Sequence, residues 1–173
     1  MNAMKNKKNI VLIGMPAVGK STVGILLAKR IGYNFMDTDI LIQSGEQKTL
    51  SEIIADIGVK NFLAMEQKYL LSVNCTNHVI ATGGSAVYSI KSMEHLAEAS
   101  IIIYLEIGLD YLKKRLSALD SRGVIRAPGQ EITSLFLERT PLYNRYAEIK
   151  IKCDCLTPDQ VLSQIMRRIK KGV

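Results

Sequence analysis

The sequence is poor in aromatic side chains and contains no tryptophan. Its 173 residues include three phenylalanines and seven tyrosines. Proteins that bind single-stranded nucleic acid commonly stack the bases on aromatic rings beside a basic groove. No basic segment of this sequence is rich in aromatic residues, which argues against a nucleic-acid partner.

Long apolar runs are also missing. No stretch reaches the ~18 apolar residues that predict a membrane-spanning helix. The apolar run at residues 10–13 is shorter than the core of a secretory signal peptide, and it leads into a glycine-containing loop instead of a cleavage site. We therefore expect a cytoplasmic protein with no membrane partner.

Cysteine is scarce, and its spacing excludes two kinds of site. The three cysteines are Cys75, Cys153 and Cys155, and no pair has the CxxC spacing. A Cys-x-Cys pair offers too few ligands for a structural zinc site. Three thiols without a secretory signal fit free cysteines in a reducing compartment.

Acidic residues are fewer than basic ones, 16 against 23, which gives a formal net charge of +7. The excess belongs to the two ends of the chain, at Lys5, Lys7, Lys8, Arg167, Arg168, Lys170 and Lys171. The segment between these ends is neutral. Basic ends of this kind are typical of solvated chain and helix termini, so the net charge does not by itself predict a polyanionic partner.

Length and composition fit one domain spanning residues 1–173. Short β-branched runs alternate with longer segments of helical periodicity. The predicted strands are 9–13, 33–36, 79–81, 100–105 and 149–153. The predicted helices are 20–31, 50–57, 59–73, 109–119, 131–146 and 157–170. This alternation predicts a parallel sheet covered on both faces, which is an α/β fold with three α/β/α layers.

The strongest motif follows the first predicted strand. Gly14, Gly19, Lys20 and Ser21 fit the pattern GxxxxGK[ST], and a predicted helix follows them. Backbone N–H groups of such a loop form an anion nest at a helix N-terminus. The lysine reaches the β- and γ-phosphates, and the hydroxyl group supplies an oxygen ligand to Mg²⁺. The motif predicts a nucleoside triphosphate site, and it leaves open a kinase, a GTPase, a motor ATPase or a binding switch.

Two carboxylates follow the second predicted strand. Asp37 and Asp39 should lie beside the phosphate-binding loop, because parallel strands deliver their C-terminal ends to the ligand crevice. One carboxylate could serve Mg²⁺ and the other could accept a proton from an acceptor hydroxyl. The alternative is structural, with Thr38 or Asp39 capping the helix that follows.

Three further features favour a kinase of a small molecule. The glycines at Gly83 and Gly84 follow the third strand and would let a ligand approach the backbone, unless they form a simple turn. The loop at 118–130 carries Arg122 and Arg126, which suits a lid that closes over the transferring phosphoryl group, unless both are solvated. Arg139 on the next helix could bind an acidic substrate group bidentately, or else form a surface ion pair.

Together these motifs resemble the shikimate kinase family over residues 10–166. They are GMPAVGKST, DTD, TGGSAV and RTPLY, in that order along the chain. The resemblance implies a P-loop fold of the nucleoside-monophosphate-kinase type, with strand order 2-3-1-4-5 and a lid at about 118–130. It also implies phosphoryl transfer from ATP to shikimate, giving shikimate 3-phosphate for aromatic amino-acid biosynthesis, by an enzyme that we expect to be a monomer.

The resemblance also implies a role for each matching residue. ATP and Mg²⁺ would be held by Gly14, Ala17, Val18, Gly19, Lys20, Ser21 and Thr22. Asp37 would lie in the outer shell of the magnesium ion, and Asp39 would bind and deprotonate the acceptor hydroxyl. The acceptor would also contact Gly83, Gly84 and Ser85, with its carboxylate on Arg139. Arg115 would lie along the adenine, and Arg126, with Arg122 as the rival, would be the lid arginine.

The sequence departs from the family pattern at two places in the acceptor site. Leu63 stands where the family has a second substrate-binding arginine, one residue after Phe62. Ser85 stands at the third position of the glycine turn. These departures leave open a related kinase for another hydroxy acid, gluconate- or homoserine-like. The basic ends leave open a second alternative, a nucleotide-binding regulatory protein.

Overall fold

The protein is described by a computed structural model that covers residues 7–117 and 131–172. Within these residues five parallel strands form a sheet in the order β2-β3-β1-β4-β5. The strands are β1 Asn9–Ile13, β2 Asn34–Asp37, β3 His78–Ala81, β4 Ser100–Glu106 and β5 Ile149–Lys152. The predicted α/β fold and the strand order implied by the resemblance are both confirmed.

Seven α-helices accompany the sheet in the part of the chain that is described. They are α1 Lys20–Ile31, α2 Thr38–Glu46, α3 Leu50–Ser72, α4 Ile90–Ala99, α5 Leu109–Ser117, α6 Ile132–Tyr146 and α7 Pro158–Gly172. None of these helices is long and apolar enough to cross a membrane. The ranges predicted from the sequence omit α2 and α4.

The central strands are covered on both faces. All five residues of β1 and the first six of β4 are buried, although successive side chains point to opposite faces of a sheet. Helices α1 and α7 contact each other, and α4 and α6 contact β4. This burial on two faces gives the three-layer arrangement and explains why these strands are apolar throughout.

Helix α3 is broken at Gly58. It begins at Thr49 with a capping box, in which the Thr49 side chain and Glu52 each bind the other's backbone N–H. Gly58 then has φ 76° and ψ 162°, a conformation that is essentially restricted to glycine. The two helices predicted at 50–57 and 59–73 therefore correspond to the two halves of α3.

A second, smaller apolar cluster lies between α2 and α3. Its buried members are Ile42, Leu50, Ile53 and Phe62. Leu63 is partly buried and packs against this cluster. The cluster fixes α2 against α3 and thereby holds the first turn of α2 near the second half of α3.

The basic N-terminal end is tied to the body of the protein by an ion pair. Lys7 Nζ lies 2.8 Å from Glu148 Oε1, and the same carboxylate oxygen accepts a 3.0 Å hydrogen bond from Ile102 N in β4. The charge of Lys7 is thus paired, although no acidic residue is near it in the sequence.

Candidate active site

The phosphate-binding loop, residues 14–19, connects β1 to α1. Lys20 is only 8% exposed, and its Nζ donates hydrogen bonds to Gly14 O at 2.8 Å and Met15 O at 2.9 Å. Ala17 has φ 63°, a left-handed conformation that is uncommon for residues other than glycine. The loop therefore curls back over the ammonium group of Lys20.

The electrostatic surroundings of Lys20 favour binding of an anion. Burial lowers the pKa of Lys20 to about 8, and the negative charges of Asp39 and Asp37 oppose that shift. The side chain is therefore mainly positive at neutral pH. It stands at the first position of α1, where the N–H groups of the helix also attract negative charge.

Ser21 and Asp37 meet beside the loop. Ser21 Oγ donates a 2.6 Å hydrogen bond to Asp37 Oδ2. The other oxygen, Oδ1, accepts from Asp39 N at 3.0 Å and Ile40 N at 3.4 Å. The N-cap of α2 is therefore Asp37, and the alternative that Thr38 or Asp39 caps this helix is wrong. The cap belongs to Asp37 because it ends β2 in an extended conformation.

The hydroxyl of Ser21 and the carboxylate of Asp37 are suitable ligands for Mg²⁺. Mg²⁺ prefers oxygen donors and usually takes one or two from protein, with the rest from phosphate and water. Among residues 7–117 and 131–172, no group of three or more His, Cys, Asp or Glu side chains could hold a metal ion. Ser21 and Asp37 offer the one or two protein oxygens that Mg²⁺ usually takes.

Asp39 lies in the first turn of α2 with one oxygen available to a ligand. Its Oδ1 is buried and has no hydrogen-bond partner among the described residues. Burial raises the pKa of Asp39 to about 6, and the positive charge of Lys20 opposes the shift. A carboxylate with a raised pKa and an unused oxygen is suited to accept a proton from a substrate hydroxyl.

The glycine turn after β3 packs directly against Asp39. Gly83 N donates a 3.1 Å hydrogen bond to Thr38 Oγ1. A Cβ on Gly83 would lie 2.7 Å from Asp39 Oδ1 and 2.5 Å from Glu66 Oε1, so the ends of these two side chains would have to shift to admit any other residue. Two carboxyl groups therefore approach the backbone of Gly83 closely, and the ligand contact expected at this turn stays a prediction.

Ser85 closes the turn through a hydrogen bond to α3. Its hydroxyl donates to Glu66 Oε1 at 2.9 Å, and both side chains are buried. Burial raises the pKa of Glu66 to about 7, and the hydrogen bond from Ser85 opposes this shift. Ser85 thus points into the protein, towards a carboxyl group.

Arg139 on α6 is held rigidly at the other side of the turn. Its side chain is 1% exposed, so the surface ion pair proposed as an alternative is wrong. Its Nε donates a 3.0 Å hydrogen bond to Tyr88 Oη, and its guanidinium carbon lies 5.1 Å from the centre of the same ring. Nη1 is 3.1 Å from the position that a Cβ would take on Gly84.

Tyr143, one helical turn after Arg139, fixes α6 to the glycine turn. Its hydroxyl donates a 2.6 Å hydrogen bond to Gly84 O, and its ring stacks on Tyr104 with centroids 5.1 Å apart. Residues four apart lie on one face of a helix. The RTPLY motif therefore places an arginine and its anchoring tyrosine on the same side of α6.

Arg115 on α5 bridges the phosphate-binding loop and the segment after β5. It donates to Val18 O at 2.8 Å and to Cys153 O at 3.3 Å. Thr22 is exposed in the first turn of α1, and Gly19 is the N-cap of that helix. The predicted nucleotide contacts therefore lie on connected segments of the fold.

The structure brings most of the predicted site residues together, with some exceptions. Asp37, Asp39, Lys20 and Arg139 are close enough for their charges to act on one another. Arg122 and Arg126, and the lid that carries them, lie outside the described residues.

Three residues of the site were not predicted to have these contacts. Thr38, one of the two predicted caps, accepts a hydrogen bond from Gly83 N instead. Tyr88 accepts one from Arg139 Nε, and Glu66 accepts one from Ser85 Oγ. The available signals were weak: Thr38 lies between two candidate carboxylates, and Glu66 lies four residues after the buried Phe62. A buried glutamate at that spacing shares the inward face of α3.

Comparison with known proteins gives one consistent result. A protein-family match identifies residues 16–170 as shikimate kinase. A shikimate kinase of Nostoc sp. is 35% identical over 173 residues, which cover 98% of this chain and 94% of that protein. A shikimate kinase of Sulfurihydrogenibium sp. is 33% identical and covers 95% of this chain and 99% of that protein.

Solved structures agree with the sequence relatives. Shikimate kinase from Acinetobacter baumannii in complex with shikimate has a TM-score of 0.86 and 27% identity, with 98% of this chain and 97% of that chain covered. A gluconokinase from Sinorhizobium meliloti has a TM-score of 0.51 and 20% identity, over 96% of this chain and 91% of that one, which shows a shared fold alone. On this sequence similarity and on the site's geometry, the chain belongs to the shikimate kinase family.

Proposed function

We propose that this chain transfers the γ-phosphoryl group of ATP to a hydroxyl group of shikimate, giving shikimate 3-phosphate and ADP. The observation that carries the proposal is the convergence of Asp39, the Gly83 turn and the buried Arg139 beside the phosphate-binding loop. A gluconate- or homoserine-like acceptor is not favoured, because the relatives that match nearly the whole chain are shikimate kinases.

The nucleotide would bind along the loop between β1 and α1. Lys20 would contact the β- and γ-phosphates, together with backbone N–H groups from Gly14, Ala17, Val18 and Gly19 and the first turn of α1 at Ser21 and Thr22. Arg115 would lie along the adenine, since it already anchors the loop at Val18. When bound, Mg²⁺ would neutralise phosphate charge, with Ser21 as a direct ligand and Asp37 in its outer shell.

The acceptor would bind between the glycine turn and α6. Its carboxylate would pair with Arg139, whose guanidinium is already oriented by Tyr88. The backbone at Gly83 and Gly84, with Ser85 behind them, would position its ring. Asp39 would accept the proton of the reacting hydroxyl while the hydroxyl oxygen bonds to the γ-phosphorus of ATP. The bond from the γ-phosphorus to the β-phosphate oxygen breaks at the same time, and ADP leaves. Arg126 would stabilise the transferring group from the lid.

The proposal extends to the domain organisation and oligomeric state of the protein. We propose a single domain over residues 1–173, active as a cytoplasmic monomer on ATP and a small acid, without a nucleic-acid partner. The described segments of the site all belong to one sheet and its helices, which supports the single-domain part of this proposal. Sedimentation equilibrium on the full chain tests the monomer, and a stable dimer would contradict it.

The test is ADP release coupled to NADH oxidation, with shikimate, quinate, gluconate and homoserine compared at equal concentrations. We expect kcat/KM for shikimate to exceed the others by at least about 100-fold, because a buried arginine and a fixed carboxylate recognise one arrangement of carboxylate and hydroxyl. Lys20→Ala should abolish turnover with every acceptor, since the phosphates lose their buried positive charge. Comparable rates with gluconate, or full activity of Lys20→Ala, would refute the proposal.

A further inference from the structure

One buried acid in the acceptor region has no role in the reaction described above. Glu66 on α3 is 2% exposed and Ser85 is 1% exposed. Ser85 Oγ donates a 2.9 Å hydrogen bond to Glu66 Oε1. A buried carboxyl group held by a single hydroxyl is costly when ionised, because one hydrogen bond replaces little of its lost hydration.

Glu66 and Asp39 approach the same point of the glycine turn. A Cβ on Gly83 would be 2.5 Å from Glu66 Oε1 and 2.7 Å from Asp39 Oδ1. Two ionised carboxylates so placed repel each other. Burial raises the pKa of Glu66 to about 7, and the negative charge of Asp39 also acts to raise it.

We propose that Ser85 is a positioning residue that holds Glu66 against Gly83, and that the site binds its anionic acceptor best while Glu66 is neutral. This inference rests on the proposed function, because it requires an acceptor with a carboxylate. While Glu66 keeps its proton, the acceptor carboxylate meets the positive charge of Arg139. When Glu66 ionises, a second negative charge beside Asp39 opposes the acceptor.

The surroundings of Glu66 are consistent with this effect. The charged groups that act on it are Asp39 from α2 and Arg139 from α6. The turn before the short 3₁₀ helix, Ala86–Tyr88, supplies the hydroxyl of Ser85, and Tyr88 of that helix binds Arg139. Helix α4 also packs on α3, but its His95 contacts Val73 O at the end of α3.

The test measures KM for shikimate and kcat separately between about pH 5.5 and about pH 8.5 at saturating ATP. In the unchanged protein we expect KM to rise about tenfold as Glu66 ionises, from repulsion between like charges. Glu66→Gln resembles the neutral acid and should abolish that rise. Ser85→Ala removes a hydrogen bond that favours the charged form, so the rise should move to higher pH by roughly half a unit to one unit.

Ser89→Ala is the matched control. The Ser89 hydroxyl donates a 2.8 Å hydrogen bond to Gln67 Oε1, one residue along α3 from Glu66. This variant loses the same chemical group, yet the rise in KM should stay at its original pH. A Ser85→Ala effect that is equal at every pH, or a normal KM rise in Glu66→Gln, would overturn the inference.

The two proposals fail in different ways. No phosphorylation of shikimate by the unchanged protein at any pH would refute the proposed function. Normal phosphorylation with a KM that does not depend on Glu66 would refute this inference alone. Calorimetric titration of shikimate into the unchanged protein and into Ser85→Ala, at both ends of the pH range, measures the dissociation constant directly. It repeats the test without depending on turnover or on the folding of Glu66→Gln.

Discussion

Single side chains in the candidate site carry charge at a cost in desolvation. Lys20 remains charged although burial lowers its pKa to about 8, because two aspartates act on it and two backbone carbonyls accept hydrogen bonds from its ammonium group. Arg139 is 1% exposed and is supported by Tyr88. Burying charges beside a ligand site preorganises them for phosphate and carboxylate groups, since the protein pays the desolvation cost on folding.

Asp39→Asn should separate catalysis from nucleotide binding. We expect kcat to fall about 10²- to 10⁴-fold, because an amide cannot accept the proton of the acceptor hydroxyl. The dissociation constant of ATP, measured by calorimetry, should change far less than kcat, since the loop, Asp37 and Lys20 itself are retained. Asp56→Asn is the control, because Asp56 is an exposed acid paired with Lys48. A kcat near normal would mean that Asp39 is only structural.

At the scale of secondary-structure elements, the break in α3 determines the direction of its second half. Gly58 has φ 76° and ψ 162°, and a Cβ there would meet no atom within 4 Å. The backbone conformation, and not crowding, therefore requires glycine. The residues after the break include Phe62 in the second apolar cluster and Glu66 beside the glycine turn.

Gly58→Ala should lower the free energy of unfolding by about 2 kcal/mol, because this region of backbone space is nearly closed to residues with a Cβ. Gly32→Ala is the matched control: Gly32 also has open space but adopts the milder left-handed conformation, φ 73° and ψ 28°. Urea denaturation should show the larger loss at Gly58. An equal or smaller loss than in Gly32→Ala would contradict the account of the break.

For the whole molecule, Glu66 links folding to pH. Burial raises the pKa of Glu66 from 4.5 to about 7 in the folded state, so the folded protein binds more protons than the unfolded chain in that interval. The free energy of unfolding due to this residue is therefore greatest at low pH and falls as pH rises from about 4.5 to about 7. Asp39 has a raised pKa as well, so a variant is needed to isolate Glu66.

Glu66→Gln should remove this contribution to the pH dependence. Relative to the unchanged protein, the variant should gain stability as pH rises through that interval, by up to about 3 kcal/mol. Chemical denaturation at several pH values, with ATP and acceptor absent, measures the difference. A constant difference between the two proteins across the interval would show that Glu66 has the same pKa in the folded and unfolded chains.

Much of the active site was predictable from local sequence. Lys20, Ser21 and Asp37 lie within one strand–loop–helix–strand unit, where spacing and strand direction decide their position. The sequence proposes Arg139 as a ligand for an acidic group, but it did not predict that Arg139 is buried. Helices α2 and α4 are missing from the predicted ranges, and both pack against α3.

The sequence alone determined the α/β class, the phosphate-binding loop and the carboxylates after β2, because each depends on residues that are neighbours along the chain. Only the tertiary structure decided that Glu66, Ser85 and Asp39 converge on Gly83 and that Leu63 joins an apolar cluster. The approaches of Glu66 to Gly83, of Glu66 to Ser85 and of Asp39 to Gly83 join residues 17, 19 and 44 positions apart, so no local pattern encodes them. The protonation of Asp39 and Glu66 also depends on burial. Burial is determined by tertiary packing and not by spacing along the chain.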